Sequence, residues 1–568
     1  MTILNRPAND VVVTTPPRGL TRGTLAAAAL AVCVAQVGLA IPAVLNGQFQ
    51  QDLGTTSSQL TWISDAFLVP VTLLELTFGV MGDLFGRKRL LVGGTMLLAL
   101  GQFLAVLTPG TGSSTGTRVL VLWLGQIIAG VGAAAIFPTS LAMIAAGTHT
   151  VRDRSRGIAI WAAALASGGF VSPVLGGFLA RYGFGSDPYA GWRWAFVAVI
   201  VLSVISIGVS VRFARNSAAP EGRSLDWPGQ ITIAVALFAL LYAVIQGPTS
   251  GWHSGGVIAG FVLAALFLVL FVLAERRSAA PLLRLELFAN RAYSVAAVAT
   301  VIGMFAYLGT AYSTSIRLSA IQGFTPLKTS IAFILLNVMT LVLMPFTSRV
   351  LEHYNPRWTL GISFALVAVA DFWLSEVSAT NLSIAPIVAP LLIAGVGFAV
   401  ALSAITAVAV NTVPNHLAGM ASGSTSLLRD FGFTLGPAII GAIALSRAAA
   451  EVSHKVSNNA ALAKALEAFN SSAAGAPAAQ QPALHAAIGA VNSGPLGANA
   501  VPASIALPDG TVIPFNPLKD VAFHALDHAY ALGYVVCGVA AVVAAVLAAV
   551  GLGGRSHEVM ITEESLAG

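Results

Sequence analysis

Fourteen apolar runs dominate this chain of 568 residues, at about 23–45, 60–82, 90–109, 118–147, 157–180, 195–213, 230–247, 255–274, 292–315, 330–348, 358–377, 384–411, 420–446 and 529–553. A helix needs roughly 20 apolar residues to cross the hydrocarbon core of a bilayer. That core holds no water to bond a backbone N–H or C=O, so a spanning segment must satisfy its own, as an α-helix does. The runs predict an all-α integral membrane protein with fourteen transmembrane helices. Only 9% of residues are charged, against about 25% in soluble domains, and the mean hydropathy is +0.83.

Charge placement sets the expected orientation. With the N-terminus in the cytoplasm, 19 of the 29 Lys and Arg fall on cytoplasmic segments, 9 on external ones, and Arg429 inside a helix. Four of those nine lie in one long loop, which counts little in the positive-inside rule. Both termini are then cytoplasmic and the protein sits in the plasma membrane. The net charge of +6 reads as a topology signal, with no nucleic-acid partner expected. Cys33 and Cys537 lie inside apolar runs and frame neither a disulfide nor a zinc site. The first run is too long for a cleavable signal peptide. His524 and His528 have metal-like spacing but no third and fourth ligand. No metal, no cofactor and no enzymatic activity are expected, since the sequence carries no phosphate-binding loop and no nucleophile elbow.

Between the second and third runs stand Gly79, Asp83, Gly86, Arg87 and Lys88, in FGVMGDLFGRKRLL. Glycines let two helices and their turn approach closely. The acid then lies within reach of helix N-terminal amides and a neighbouring Arg. Such a cluster can latch the cytoplasmic side, or it can be a plain basic turn. It resembles the G-x-L-a-D-r-x-G-r-k signature of the major facilitator superfamily, departing at Met81, Gly82 and Leu84. The resemblance implies two six-helix bundles that rock about a central cavity.

A weak internal repeat points the same way. Gly168, Ser172, Pro173, Gly176 and Gly177 (GGFVSPVLGG) lie in the fifth run, and Gly432, Gly436, Pro437 and Gly441 (GFTLGPAIIG) in the thirteenth. Small residues give a smooth packing face, and proline allows a bend. The first copy resembles the superfamily's antiporter signature, with Ser172 in place of a Gly. LDWPG from Leu225, QGPTSGW from Gln246, PLLRLELFANR from Pro281 and GWRW from Gly191 resemble the fourteen-helix drug:proton antiporter family of quaternary-ammonium and multidrug exporters. The implied organisation is a cytoplasmic tail (1–22), an N-terminal six-helix bundle (23–213), two linker helices with cytoplasmic flanks (214–291), a C-terminal six-helix bundle (292–553) and a cytoplasmic tail (554–568). The C-terminal bundle carries an external loop (447–528), where one or two short helices are expected. That loop reads as a variable segment or as a cap on the outer mouth.

Acids inside a bilayer are costly, so each is a functional candidate. Asp65 follows Trp62 in WISDAF, close to the W-x-x-D-x-Y of some quaternary-ammonium exporters, with Phe67 for the Tyr. Glu75 lies ten residues on, roughly a quarter-turn away around the helix. Asp371 lies in the eleventh run. These three are the candidate proton carriers, since a carboxyl in a low-dielectric site can exchange a proton for a cation. The alternatives are an interfacial acid for Asp65, a structural hydrogen bond for Glu75 and an outward-facing residue for Asp371. Arg429 and Asp430 in the thirteenth run form either a static pair or one that changes partners. The resemblance also shows departures. Cys33 stands where the family usually has an Asp, Gly38 where it has an Asn, Gln126 where it has an Arg, and Ala129 where it has a Gln. Joint loss of acid and Arg leaves no unpaired charge, yet puts the usual proton route in doubt.

The expected function is export of lipophilic, cationic compounds in exchange for protons, by a monomer, with membrane lipids as its surroundings. Export of an endogenous metabolite or lipid with weak or no coupling is the alternative, and a non-transporting membrane sensor or enzyme the reading from another class. Trp62, Phe67, Gln126 and Phe137 are the expected cavity residues, with Phe305, Tyr307, Phe398 and Trp373 as further aromatics.

Overall fold

The computed structural model describes residues 20–110, 112–148, 151–185, 188–218, 225–278, 281, 283, 285–411, 418–475, 480–506 and 512–552. The tails expected at 1–22 and 554–568 lie outside these, apart from residues 20–22. The helices in chain order are α1 (Arg22–Ala40), α2 (Asn46–Leu53), α3 (Ser57–Phe85), α4 (Arg87–Val106), α5 (Thr115–Ala146), α6 (Val151–Leu179), α7 (Trp192–Phe213), α8 (Trp227–Ser250), α9 (Gly255–Arg277), α10 (Arg291–Ile316), α11 (Pro326–His353), α12 (Pro356–Ser375), α13 (Ala385–Asn411), α14 (Ala418–Ser457), α15 (Ala460–Ser471), α16 (Gln481–Asn492), α17 (Pro495–Ala500) and α18 (Lys519–Gly551). All but α2, α15, α16 and α17 are long and apolar enough to span a membrane, which makes fourteen.

Local chemistry starts several of them. Thr56 accepts from the Gln59 amide while Gln59 Oε1 accepts from the Thr56 amide, a reciprocal cap that opens α3. Thr325 and Asn355 accept first-turn amides of α11 and α12, each followed by a proline at the first helical position. Gly86, at φ +102°, makes the sharp turn from α3 to α4.

The helices α1 and α3–α7 pack into one bundle, and α10–α14 with α18 into a second. The extra pair α8–α9 lies outside both, with α8 laid against α3 and α14. Gln230 Nε2 of α8 donates to the Leu73 carbonyl at 2.6 Å. The two bundles therefore meet mainly along α3–α14 and α6–α11.

The sequence repeat has a packing meaning. A Cβ at Gly168 would lie 2.5 Å from the Cys33 carbonyl oxygen of α1, and one at Gly432 2.5 Å from the Val301 carbonyl oxygen of α10. In each half the fifth helix thus lies directly on the backbone of the first. Ser172, where the signature has Gly, donates to the Val37 carbonyl at 3.2 Å. Gly177 turns the other way, where an added Cβ would lie 2.8 Å from the Pro326 carbonyl oxygen in the opposite half.

The loop expected at 447–528 is shorter than predicted, because α14 continues past 446 and α18 begins at Lys519. Between them lie three short helices and a hairpin of β1 (Ser504–Ala506) and β2 (Val512–Pro514). This cap has its own small core of Phe469, Val491, Val501 and Leu518. Asn499 Nδ2 donates to the Ala320 and Ile321 carbonyls, in the π turn that ends α10, and α17 also touches α2 of the other half. The cap covers the face opposite the chain ends, called here the far face.

Beneath it, the buried Asp52 of α2 ties the N-terminal bundle together. Its Oδ1 accepts from Arg118 of α5, and its Oδ2 accepts from Trp192 Nε1 at 2.7 Å and Arg193 Nη1 at 3.1 Å, both of α7. Removing one partner of a buried ion cluster leaves uncompensated charge at a cost of about 3–5 kcal/mol. Asp52→Ala is expected to destabilise the purified protein by that order, read as a lower thermal unfolding midpoint in detergent.

Candidate functional site

A central cavity lies between the bundles, lined from α1, α3, α5 and α6 on one side and α10, α11, α13 and α14 on the other. Its wall is aromatic: Phe137, Trp161, Tyr307, Phe333, Phe398 and Phe433. Tyr307 and Phe398 stack face to face, 3.7 Å apart and 4° from parallel. Neutral polar groups break this wall at Gln36, Asn46, Ser64, Ser315, Asn337 and Thr340. Arg429 and Asp430 are the charged residues among its described lining.

Arg429 grips Asp430 with two bonds, Nε to Oδ1 at 2.7 Å and Nη2 to Oδ2 at 3.0 Å. Glu75 reaches this pair from the other bundle, its carboxyl within interaction range of Asp430 and Arg429 and its Oε2 without a hydrogen-bond partner among the described residues. A group of two carboxyls and one guanidinium therefore straddles the seam. Thr72, one turn from Glu75 on α3, shares a hydroxyl bond with Thr434 at 2.8 Å and donates to the Asp430 carbonyl at 3.1 Å.

Asp65 lies on the same face of α3, fully buried, with neither carboxylate oxygen bonded among the described residues. Tyr312 is within electrostatic range of it, and the Tyr312 hydroxyl bonds Thr61 at 2.8 Å across the seam. Asp371 sits elsewhere, inside the C-terminal bundle, where Thr310 Oγ1 donates to its Oδ1 at 2.6 Å. Glu75, Arg429 and Asp430 are thus brought together, while Asp65 and Asp371 stand apart from them and from the cavity lining.

The expected cavity residues divide. Phe137 lines the cavity. Trp62 turns towards Trp123 and Phe238 of α8, and Phe67 is fully buried with its backbone against Gly130. Gln126 is fully buried, and its amide has no partner among the described residues. Trp373 is exposed on the bundle surface. Sequence reasoning did not single out Asp52, Asn337 or Gln36. The last was visible as a lone amide inside the first apolar run.

The latch residues form a local unit. Arg87 Nε and Nη2 donate to Asp83 Oδ1 at 3.0 and 2.7 Å. The Arg87 amide donates to the Ser217 carbonyl at 2.9 Å, and the Lys88 amide to Asn216 Oδ1 at 3.1 Å. Gly79 and Gly82 give α3 close approach to Pro138 and Thr139 of α5. These contacts join α3 and α4 to the segment after α7, all within the N-terminal half.

At the far face the halves are closed. Asn46 Nδ2 donates to Ser315 Oγ at 2.8 Å, and Ser315 donates to the Ala43 carbonyl. A Cβ at Gly47 would lie 2.6 Å from the Ser319 carbonyl. Among the described residues no three His, Cys, Asp or Glu gather as metal ligands. His528 instead faces Glu451 at 3.3 Å.

Two helix bundles joined by a thin seam around a cavity define a membrane transporter fold. The sequence profile of the Major Facilitator Superfamily matches residues 26–437, and the chain belongs to that superfamily. It is 29% identical over 409 residues to the multidrug resistance protein Stp of Mycobacterium tuberculosis (strain CDC 1551 / Oshkosh), covering 72% of each chain. It is 27% identical to the tetracenomycin C resistance and export protein of Streptomyces glaucescens, covering 77% of this chain and 79% of that one. Among solved structures, a bacterial homolog of the human lysosomal transporter Spinster, in an inward-facing and occupied conformation, superposes with a TM-score of 0.58 at 15% identity, covering 93% and 96%. The chain is a multi-pass transporter of this superfamily, whose relatives carry drug-resistance and efflux names.

The far-face closure leads to a prediction. Gly47→Leu cannot fit against the Ser319 carbonyl and should bias the protein away from this state. In a cysteine-free background carrying Ser64→Cys in the cavity, impermeant thiol reagents added at the far face should label the Gly47→Leu protein several-fold faster than its parent.

Proposed function

We propose that this protein exports lipophilic small molecules from the cytoplasm in exchange for protons, with Glu75, Asp430 and Arg429 as the coupling site. The observation that carries this reading is the meeting of the two carboxyls across the seam, at the wall of the cavity. With one shared proton the group is neutral and holds α3 to α14. Loss of the proton leaves two negative charges against one positive, and the halves then repel where they touch. Proton occupancy thereby biases the rocking equilibrium, which is what coupling requires. A potential of 100 mV supplies about 2.3 kcal/mol per charge moved, enough for a roughly 50-fold concentration ratio of an uncharged substrate with one proton per cycle. A monocation exchanged one for one draws on the pH gradient alone.

A cationic substrate, as the family resemblance implies, would use the same place by displacing Arg429 from Asp430. Asp65 and Asp371 are further proton candidates of lower rank, because neither borders the cavity. The latch at Gly79, Asp83, Gly86, Arg87 and Lys88 is assigned to closure of the cytoplasmic face in the opposite state. The plasma membrane location, cytoplasmic termini, monomeric state and the domain limits at 23–213, 214–291 and 292–553 belong to the same reading. Charge placement supports the orientation, and the grouping of helices supports the limits. Uncoupled export is the second reading, favoured by the neutral Cys33 and Gln126.

In proteoliposomes with an imposed pH gradient, the wild type should accumulate ethidium against its gradient. Glu75→Gln should lose at least tenfold of the gradient-driven rate while retaining downhill exchange. Asp430→Asn should lose both, because Arg429 loses the partner that holds it on α14 and is left to pair with Glu75 across the seam. Transport in Glu75→Gln that still follows the pH gradient would exclude this site as the coupling group.

A further inference from the structure

Three hydrogen-bonding groups lie close together on the cavity wall, drawn from both halves. Gly169 of α6 lies there, and a Cβ on it would stand 3.0 Å from Asn337 Oδ1 of α11 and 3.9 Å from Gln36 Nε2 of α1. Asn337 Nδ2 is committed to the Phe333 carbonyl at 2.9 Å, which leaves Oδ1 to face the cavity as an acceptor. Gln36 is half-buried on the cavity wall, and no hydrogen bond holds its amide among the described residues. The third group is backbone. Pro173, four residues after Gly169, has no N–H, so the Gly169 carbonyl lacks its helical donor. Gly168 makes room for this arrangement, since its missing side chain admits the Gln36 stem to within 2.7 Å of the Cβ position.

The chemistry of this cluster is neutral and two-sided: two acceptors and an amide that both donates and accepts. Around it lie Trp161, Phe333 and the Tyr307–Phe398 stack. The charged lining, Arg429 and Asp430, is already mutually paired. We infer that Gln36, Asn337 and the Gly169 carbonyl form a subsite for an uncharged hydroxyl or amide carried on an aromatic substrate. This rests on the export reading above and names its substrate class. A hydroxyl there donates to Asn337 Oδ1 or the Gly169 carbonyl and accepts from Gln36. It thus bonds groups from α1 and α6 in one half and α11 in the other. Rocking separates these partners, so such a substrate senses the state of the transporter through its polar group and is released as they part.

The test compares a hydroxyflavone with its methyl ether, both uncharged at mildly acidic pH, by equilibrium dialysis against the purified full-length protein. Tetraphenylphosphonium, a cation with no hydrogen-bonding group, is the third ligand. The wild type should bind the hydroxyflavone roughly three- to tenfold more tightly than the ether, the worth of one neutral hydrogen bond. Asn337→Leu, close in size, should reduce that preference towards unity, while Gln36→Met, which removes a donor that alcohol and ether oxygens share, should weaken both flavones. Neither substitution should change tetraphenylphosphonium affinity by a comparable factor. Equal binding of alcohol and ether by the wild type would overturn the assignment. So would a preference that survives Asn337→Leu, unchanged flavone affinity in Gln36→Met, or an equal loss for all three ligands. Gradient-driven transport of the same flavone in proteoliposomes tests the export reading separately: its failure with the preference intact would overturn export and leave the subsite standing.

Discussion

The contact of Glu75 with the Arg429–Asp430 pair is the constraint around which the rest of the structure is arranged. Charges in a membrane interior must be paired or bonded, and here the pairing is divided between two bodies that are otherwise joined thinly. Arg429 and Asp430 are neighbours on α14, so their pair survives any motion of the halves. Glu75 belongs to α3 and keeps its place only while the seam is closed. Arg429 and Asp430 also border the cavity, so in the proposed reading substrate, proton and seam meet within one small region. The extra helix α8 covers this region from outside, with Gln230 bonded to α3 beside it and its apolar face against Val69 and Ala438.

Close helix approach ties each of the two bodies together internally. Gly168 and Gly432 place α6 and α14 on the backbones of α1 and α10, the same device used once in each half. Asp52 adds an ionic knot to the N-terminal bundle at the far face, and Arg317 does comparable work in the other, donating to the Leu374 carbonyl in the last turn of α12 and to the Val377 carbonyl beyond it. The cap follows α10 through Asn499 and rests on α2. Opening the far face must therefore lift α17 from α2 while its bonds to Ala320 and Ile321 persist.

Much of this was legible in the sequence, for physical reasons that also set the limits. Bilayer thickness dictates span length, so the number and order of the spanning helices could be read from hydropathy. Glycines and a proline at fixed spacing revealed the repeat, because backbone approach tolerates no side chain. Intramembrane acids stood out as costly. That Glu75 meets Asp430 while Asp65 does not was hidden, since contact between halves leaves no trace in local periodicity. The aromatic residues show the same limit. Trp62, Phe67 and Phe137 all looked suited to a cavity, but helix rotation decides which one faces it, and nearly uniform hydropathy around these helices carries little rotational signal. The polar groups of the cavity wall were overlooked for the opposite reason: Gln36 carries no charge and matches no signature. The ends of the cap were misjudged because α14 and α18 continue as helices beyond their apolar stretches.

Proton release on substrate binding tests the account most directly. Detergent-purified protein in weakly buffered solution with a pH-sensitive dye is mixed with a saturating lipophilic substrate. If Glu75 and Asp430 share a proton that substrate displaces, the wild type releases close to one proton per molecule and Glu75→Gln releases none. Equal release from both proteins, or none from a wild type that demonstrably binds, would contradict the assignment of coupling to this seam.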